Sequence, residues 1–247
     1  MSWCDSLAST PIIGVRYEPS FRPSEEYLAA MSPVLNRELD KDRPAFSVES
    51  MDPFQLVFNT ESGFRYTFDQ SNVSVAFNHR IRAKAASAGP PTMELISQAE
   101  PFTELLETVT NRLLEAVDIL SGVSPRRVKR IGIVSLTQVV LEDAPPGIVD
   151  LFDQVARPLG GGAETFNISM TTRLKEDAKT IEKCTHTLTL PEPPETLVTL
   201  QLDWQRTFLK TFGSNKSAVA DALSSGKREA LAYFERVAEG GLYDRGD

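Results

Sequence analysis

The chain offers four soft or borderline metal donors: Cys4, Cys184, His79 and His186. A metal centre needs several such groups at close spacing. Cys184 and His186 are two residues apart, so on a strand they share one face. They would form a site only if His79 came near. Otherwise they read as a thiol and an imidazole sitting on a sheet, and no metal or cofactor is expected. Gly160-Gly161-Gly162 lies after a helical segment and before a strand, whereas a phosphate loop runs from strand into helix. No Gly-Lys-Ser/Thr follows, so the triplet reads as a helix terminator. Ser224-Ser225-Gly226-Lys227 fits the serine-x-x-lysine pattern of acyl-serine enzymes, but its companions are missing. No Ser-Asp-Asn occurs, and Lys210-Thr211 is followed by Phe212. There is no Gly-x-Ser-x-Gly elbow, and Glu142 and Asp143 read as solvated residues of a proline turn. No catalytic residue is assigned, and the chain leans away from catalysis.

The stronger signal is polar alternation. Arg65 and Thr67 oppose Phe64 and Tyr66, and Ser74, Asn78, Arg80 and Arg82 oppose Val73, Val75 and Phe77. Further on, Asn167, Ser169, Thr171 and Arg173 oppose Phe166, Ile168 and Met170. Thr185, Thr187 and Thr189 oppose His186, Leu188 and Leu190. Thr199, Gln201, Asp203 and Gln205 oppose Val198, Leu200, Leu202 and Trp204. Adjacent strands would merge these rows into one hydrogen-bonding platform. Its guanidinium forks suit carboxylate or phosphate groups. Any one-sided antiparallel sheet must also have a wet face. The residues expected to bind are Arg65, Arg80, Arg82, Arg173 and Gln201. His79, on the apolar side, reads as a core or edge histidine. A basic patch, Arg126, Arg127, Lys129 and Arg130, precedes a strand. With Arg80, Arg82 and Lys84 it would make a stripe for nucleic acid. Aromatics free for base stacking are not evident.

The elements that must position these residues read as follows. A strand at Pro11–Tyr17 leads into a helix at about Glu25–Leu39, with Pro33 inside it. Strands follow at Phe46–Met51, Gln55–Asn59, Phe64–Asp69 and Val73–Ile81, separated by turn residues at hairpin spacing. Residues 85–100 read as an irregular connection. An amphipathic helix at about Pro101–Leu120 closes the first half. The second half reads as strand Val128–Leu141, helix Gly147–Val155, and strands Thr165–Leu174, Lys183–Leu190 and Leu197–Phe208. A last helix covers Ser217–Glu239, with Ser225-Gly226 weakening its middle enough to allow two shorter helices. Both halves, 1–122 and 123–247, thus share a β-α-β(3–4)-α order. The expected fold is α+β: a curved antiparallel sheet built from two β-α-β(3–4)-α repeats, with helices on one face.

Bulk composition narrows the field. The 247 residues suffice for one large domain or two units sharing a core. A formal net charge of −8 opposes non-specific binding to nucleic acid or anionic membrane. Two widely separated cysteines, no basic-then-apolar start and no run of about 20 apolar residues point to a reduced, cytoplasmic setting without a membrane.

Ile13-Gly14-Val15-Arg16-Tyr17-Glu18 followed by Phe21-Arg22-Pro23, then Arg127-Val128-Lys129-Arg130-Ile131-Gly132-Ile133, and Leu231-Ala232-Tyr233-Phe234-Glu235 near the end, together carry a resemblance. In order and spacing the chain resembles a sporadically distributed family of uncharacterised bacterial proteins of about this length. It departs where that family usually has a tyrosine-isoleucine-asparagine-arginine-like run, since Ser135-Leu136-Thr137-Gln138 stand here. The resemblance implies a fold and a patchy bacterial distribution, which a role in defence or toxin neutralisation would fit. The element order also resembles the TATA-binding-protein-like fold. The expected function is a non-catalytic interaction protein, self-associating, that presents its polar sheet face to another macromolecule. The alternatives are a small-ligand-binding protein or enzyme with a pocket between sheet and helices, and a nucleic-acid-binding module.

Overall fold

Alternating side chains in eleven segments, and apolar stripes of helical spacing in three, resolve into an α+β fold. The computed structural model describes residues 8–18, 25–41, 46–51, 55–79, 81–84, 92–95, 100–123, 125–156, 158, 165–191 and 197–241. Strands are β1 (Ala8–Tyr17), β2 (Phe46–Met51), β3 (Gln55–Thr60), β4 (Phe64–Asp69), β5 (Asn72–Phe77), β6 (Ile81–Lys84) and β7 (Thr92–Leu95). In the second half they are β8 (Arg127–Val140), β9 (Thr165–Glu176), β10 (Thr180–Pro191) and β11 (Leu197–Gly213). Helices are α1 (Glu25–Lys41), α2 (Phe102–Val123), α3 (Pro146–Leu151, continued by a π-turn over Phe152–Ala156) and α4 (Lys216–Ala238).

Nine strands form one antiparallel sheet in the order β2-β3-β4-β5-β1-β8-β11-β10-β9. In each half the first strand pairs with the last, β1 with β5 and β8 with β11, and the remaining strands meander outward. The halves meet where β1 pairs with β8, setting Ile13 against Ile133, Gly14 against Gly132 and Arg16 against Arg130. Directly paired residues project to one face, so these pairings align the two halves' inner and outer rows.

The inner row is the core. Ile13, Val15, Ile131, Ile133, Leu200, Leu202 and Trp204 are fully buried beneath helices. Helix α2 packs on β1 and β5, α4 on β8 and β11, and the two helices meet, with Phe102 and Phe234 edge-to-face at 4.9 Å. Helix α1 packs on α2 and reaches β2. Stacked rings of Phe58, Tyr66 and Phe68 fill the core beneath β3 and β4. All these helices therefore lie on the face that the buried residues share.

Two expectations change. The strand placed over Val73–Ile81 ends at Phe77. Ile81–Lys84 instead pairs with Thr92–Leu95 in a separate two-stranded ribbon, which also gives part of the expected connection over 85–100 a strand. The helix expected at Gly147–Val155 is present, as six α-helical residues from Pro146 to Leu151 continued by a π-turn over Phe152–Ala156. The last helix does not break at Ser225-Gly226. It runs unbroken from Lys216 to Ala238, started by Asn215, whose side-chain oxygen accepts the Ala218 N–H at 2.8 Å.

Gly226 is tolerated there for packing reasons. The Trp204 indole lies directly under it, and a Cβ at this position would sit 2.4 Å from the ring. The indole has little freedom to yield, because it is fully buried and its Nε1–H donates to Glu182 Oε1 at 2.9 Å. Helix propensity alone favours alanine over glycine by about 1 kcal/mol. Overpacking costs about 1–3 kcal/mol and wins here. Gly226→Ala is expected to lower the melting temperature by several degrees in a thermal unfolding scan. A rise would show that the ring yields freely and that propensity dominates.

Candidate functional site

The outer face of the large sheet is open across its centre, and its side chains form ordered cross-strand rows. At the row through the β1–β8 joint, Thr67, Ser74, Gly14, Gly132 and Gln205 follow one another across five strands. Three of the five are serine or glycine, so the row is a trough. A Cβ on Gly14 would lie 3.3 Å from Ser74 Cβ, and one on Gly132 would lie 3.3 Å from the Trp204 carbonyl oxygen. Bare backbone is therefore the floor.

The two sides of the trough differ chemically. On one side Ile12 stands opposite Val134, and Leu136, Val140 and Leu197 continue the apolar surface along β8 and β11. Ile12, Leu136, Val140 and Leu197 are each about 40% exposed. On the other side Arg16 stands opposite Arg130. A hollow of about 380 Å³ covers the glycine floor and both arginines. A second, of about 490 Å³, continues past Arg16 and Arg130 to Lys129, Glu18 and Thr207.

Charge at the basic end is only partly balanced. Arg130 Nη1 donates to the neutral Oε1 of Gln205 at 3.2 Å. The Gln205 amide in turn donates to both Asp203 oxygens, at 3.0 and 2.9 Å. An amide thus stands between that cation and the Asp203 carboxylate. Asp69, also at the rim, spends Oδ1 on the backbone N–H groups of Ser71 and Asn72, both at 2.8 Å. Lys129 pairs with Glu18 at 3.3 Å. Like charges directly opposite one another destabilise a sheet by a few tenths of a kcal/mol to about 1 kcal/mol. The Arg16–Arg130 pair is such a case.

The residues expected from sequence to bind fare unevenly. Arg65 is on the outer face, but its fork closes on Glu49, with Nε and Nη2 each 2.9 Å from a carboxylate oxygen. That contact lowers the Glu49 pKa and raises that of Arg65. Arg173 is on the outer face of β9 and pairs with Glu176. Gln201 is on the outer face between Leu136 and Thr187, half-buried. Arg82 is not on this sheet: it belongs to the β6–β7 ribbon, opposite Glu94. Arg80 lies outside the described residues. The basic patch is divided among different partners. Arg126 is half-buried near the Tyr17 phenol, whose pKa burial raises, and Arg127 donates to the Thr211 hydroxyl at 2.7 Å. Only Lys129 and Arg130 reach the trough.

Sequence reasoning missed Arg16, Gly14, Gly132 and Ile12 as site residues. The signal was present: an Ile-Gly-apolar triplet occurs in both central strands, with arginine two residues after Gly14 and two residues before Gly132. Only the antiparallel pairing of glycine with glycine turns that into two facing arginines.

Other chemistry-bearing groups are engaged elsewhere. Ser224 Oγ donates to the Asp221 carbonyl at 2.7 Å and Lys227 pairs with Glu107, so they form no nucleophile–base pair. His79 Nε2 lies 3.2 Å from the Ser9 carbonyl, far in the fold from His186. Cys184 Sγ and His186 Nε2 are 3.1 Å apart on the inner face of β10. The third group near them is Glu229 of α4, and these ligand atoms lie within 4.8 Å of one another. Among the described residues this trio is the cluster with metal-donor types. It is enclosed, and its carboxylate pairs with Arg236. Burial pushes the Cys184 thiol up to about 12.

Compared with models of known protein families, with curated proteins and with solved structures, the chain matches none. Among the described residues, no helix is long and apolar enough to cross a membrane.

His186 gives a pH signature. Burial, and then the Arg236 charge, lower its pKa below the ordinary 6.5, while Glu229 opposes them. Below pH 6.5 the unfolded chain therefore binds a proton that the folded chain resists, and stability falls as pH drops through that window. The slope is at most about 1.4 kcal/mol per pH unit for one proton. Denaturant unfolding between about pH 5 and 7 is expected to show this slope, and His186→Gln to flatten it. An equal slope in the variant would assign the effect to other groups.

Proposed function

We propose that this protein is a non-catalytic binding protein whose open sheet face receives a segment of another protein across the central trough. The observation that carries the reading is the trough itself: a glycine and serine floor, an apolar side led by Ile12 and Leu136, and a basic end at Arg16 and Arg130. A partner segment with apolar side chains followed by a carboxylate matches all three features. The carboxylate would relieve the repulsion between the facing guanidiniums and take bidentate hydrogen bonds from them. A protein partner is favoured over nucleic acid by two facts. The net charge is −8, and no aromatic ring is among the large apolar side chains exposed on the described surface.

The same reading treats the two halves as copies of one β-α-β(3–4)-α unit related across the β1–β8 joint. Its support is the matching strand order on either side and the glycine-to-glycine pairing at the centre. A place in the sporadic bacterial family, and a role in defence or toxin neutralisation in the cytoplasm, belong to this proposal too.

Arg16 forms no ion pair among the described residues, so removing it costs the fold little. Arg16→Gln is expected to leave the melting temperature unchanged or raise it slightly, because one of two facing like charges is lost. The same change combined with Arg130→Gln is expected to weaken partner capture at least tenfold in affinity purification from native cells, read by mass spectrometry. Capture undiminished by the double variant, with its fold intact, would refute the trough as the binding surface. Recovery of nucleic acid with a steep salt dependence would replace the protein partner.

A further inference from the structure

We propose that β9 is the pairing edge of a homodimer, joining two copies antiparallel along Asn167–Arg173 about a twofold axis at Met170. Strand β9 ends the nine-stranded sheet. On one side it pairs with β10 without a break from Thr165 to Arg173. Among the described residues, no strand pairs with its other side, which leaves a row of backbone donors and acceptors open. Proteins usually blunt such edges with short strands, bulges or charges.

The opposite edge of the same sheet is blunted. Strand β2 has six residues, its register breaks at Glu49, and Glu49 carries the Arg65 ion pair. Strand β9 has twelve residues, with no charged residue from Thr165 through Thr172. Its register breaks only beyond Arg173, where Arg173–Glu176 and Lys175–Asp177 ion pairs cluster. The guarding devices therefore sit at one end and leave the neutral stretch flat. Among the described residues no helix packs extensively beneath it, and Met170 on the inner face is 43% exposed.

An open backbone edge is satisfied by another strand, and this strand complements itself. About an axis at Met170, Met170 meets its own copy, Ser169 meets Thr171, Ile168 meets Thr172 and Asn167 meets Arg173. Residues of one sheet face meet residues of the same face in every pair. No like charges are opposed, although each copy carries a net charge of −8 overall. The dimer would extend the sheet through both copies and leave both troughs open. It stands on different residues from the partner-binding proposal, and either can fail without the other.

Sedimentation velocity and light scattering on the full chain, from about 1 to 100 μM, cover the range of weak to moderate dissociation constants. A dimer mass is expected at the upper end. Met170→Lys puts two ammonium groups on the axis at an exposed position and is expected to weaken association at least tenfold. Hydrogen exchange of the unaltered protein supplies a readout that needs no variant. The β9 amides that point away from β10 are expected to slow at high concentration and to exchange fast when dilute. A monomer mass throughout, a folded Met170→Lys dimer as tight as the parent, or β9 exchange independent of concentration would each overturn the proposal.

Discussion

Everything distinctive about this molecule depends on the antiparallel joint between β1 and β8. That joint makes one sheet out of two sets of strands. It puts Ile13 and Ile133 on the covered side and Gly14 and Gly132 on the open side. A slip of one residue would exchange the two faces, burying Arg16 under α2 and exposing Val15. Such a slip is prohibited energetically, because an unpaired guanidinium in the core costs several kcal/mol. The hydrophobic pattern of the joint therefore fixes the trough as firmly as it fixes the core.

Much of this was legible in the amino-acid sequence. Period-two alternation sorted Phe64, Tyr66 and Phe68 to the covered side and Thr199, Gln201 and Asp203 to the open side, as the structure has them. The stripe from Phe102 to Leu120 identified α2 because its apolar spacing admits no other element. Errors arose where tertiary contacts decide. Nothing local marks Phe77 as a strand end, since Ile81 continues the apolar alternation, and only pairing with Met93 and its neighbours shows that a ribbon begins. Gly226 reads as a helix weakness until Trp204 is placed beneath it. The candidate site was legible only in part. Arg65 and Arg173 are on the expected face, but acidic neighbours on the same chain neutralise them, and alternation carries no information about partners along the perpendicular direction.

The unequal helices have a structural consequence. In the first half α1 spans 17 residues and reaches the outermost strand, β2. In the second half the corresponding connection is six helical residues and a π-turn, and the π-turn touches β10. The inner face of β9 is left half-covered, so Phe166 and Ile168 are only partly buried. Among the described residues β9 is anchored on one side by β10 and no helix packs extensively on it, so it contributes less to the core than the central strands do. Its length and its neutral sequence are then difficult to attribute to folding alone, whereas β2 is short and charged as an edge strand ordinarily is.

The like-charged pair at the trough supports a similar argument. A sheet selected for stability alone would place a carboxylate or a threonine opposite Arg16. This one places Arg130 there and separates it from Asp203 by the amide of Gln205. Direct contact between Arg130 and Asp203 would quench the local positive potential. The amide instead holds both side chains by hydrogen bonds and stands between the guanidinium and that carboxylate. The arrangement costs some stability in the free protein, and an anion between the two forks would return it, since charge-assisted bidentate bonds are stronger than the neutral contact they replace. An acidic group bound at this position would therefore remove a strain that folding leaves in place, which is how a net acidic protein could hold one at the centre of its sheet.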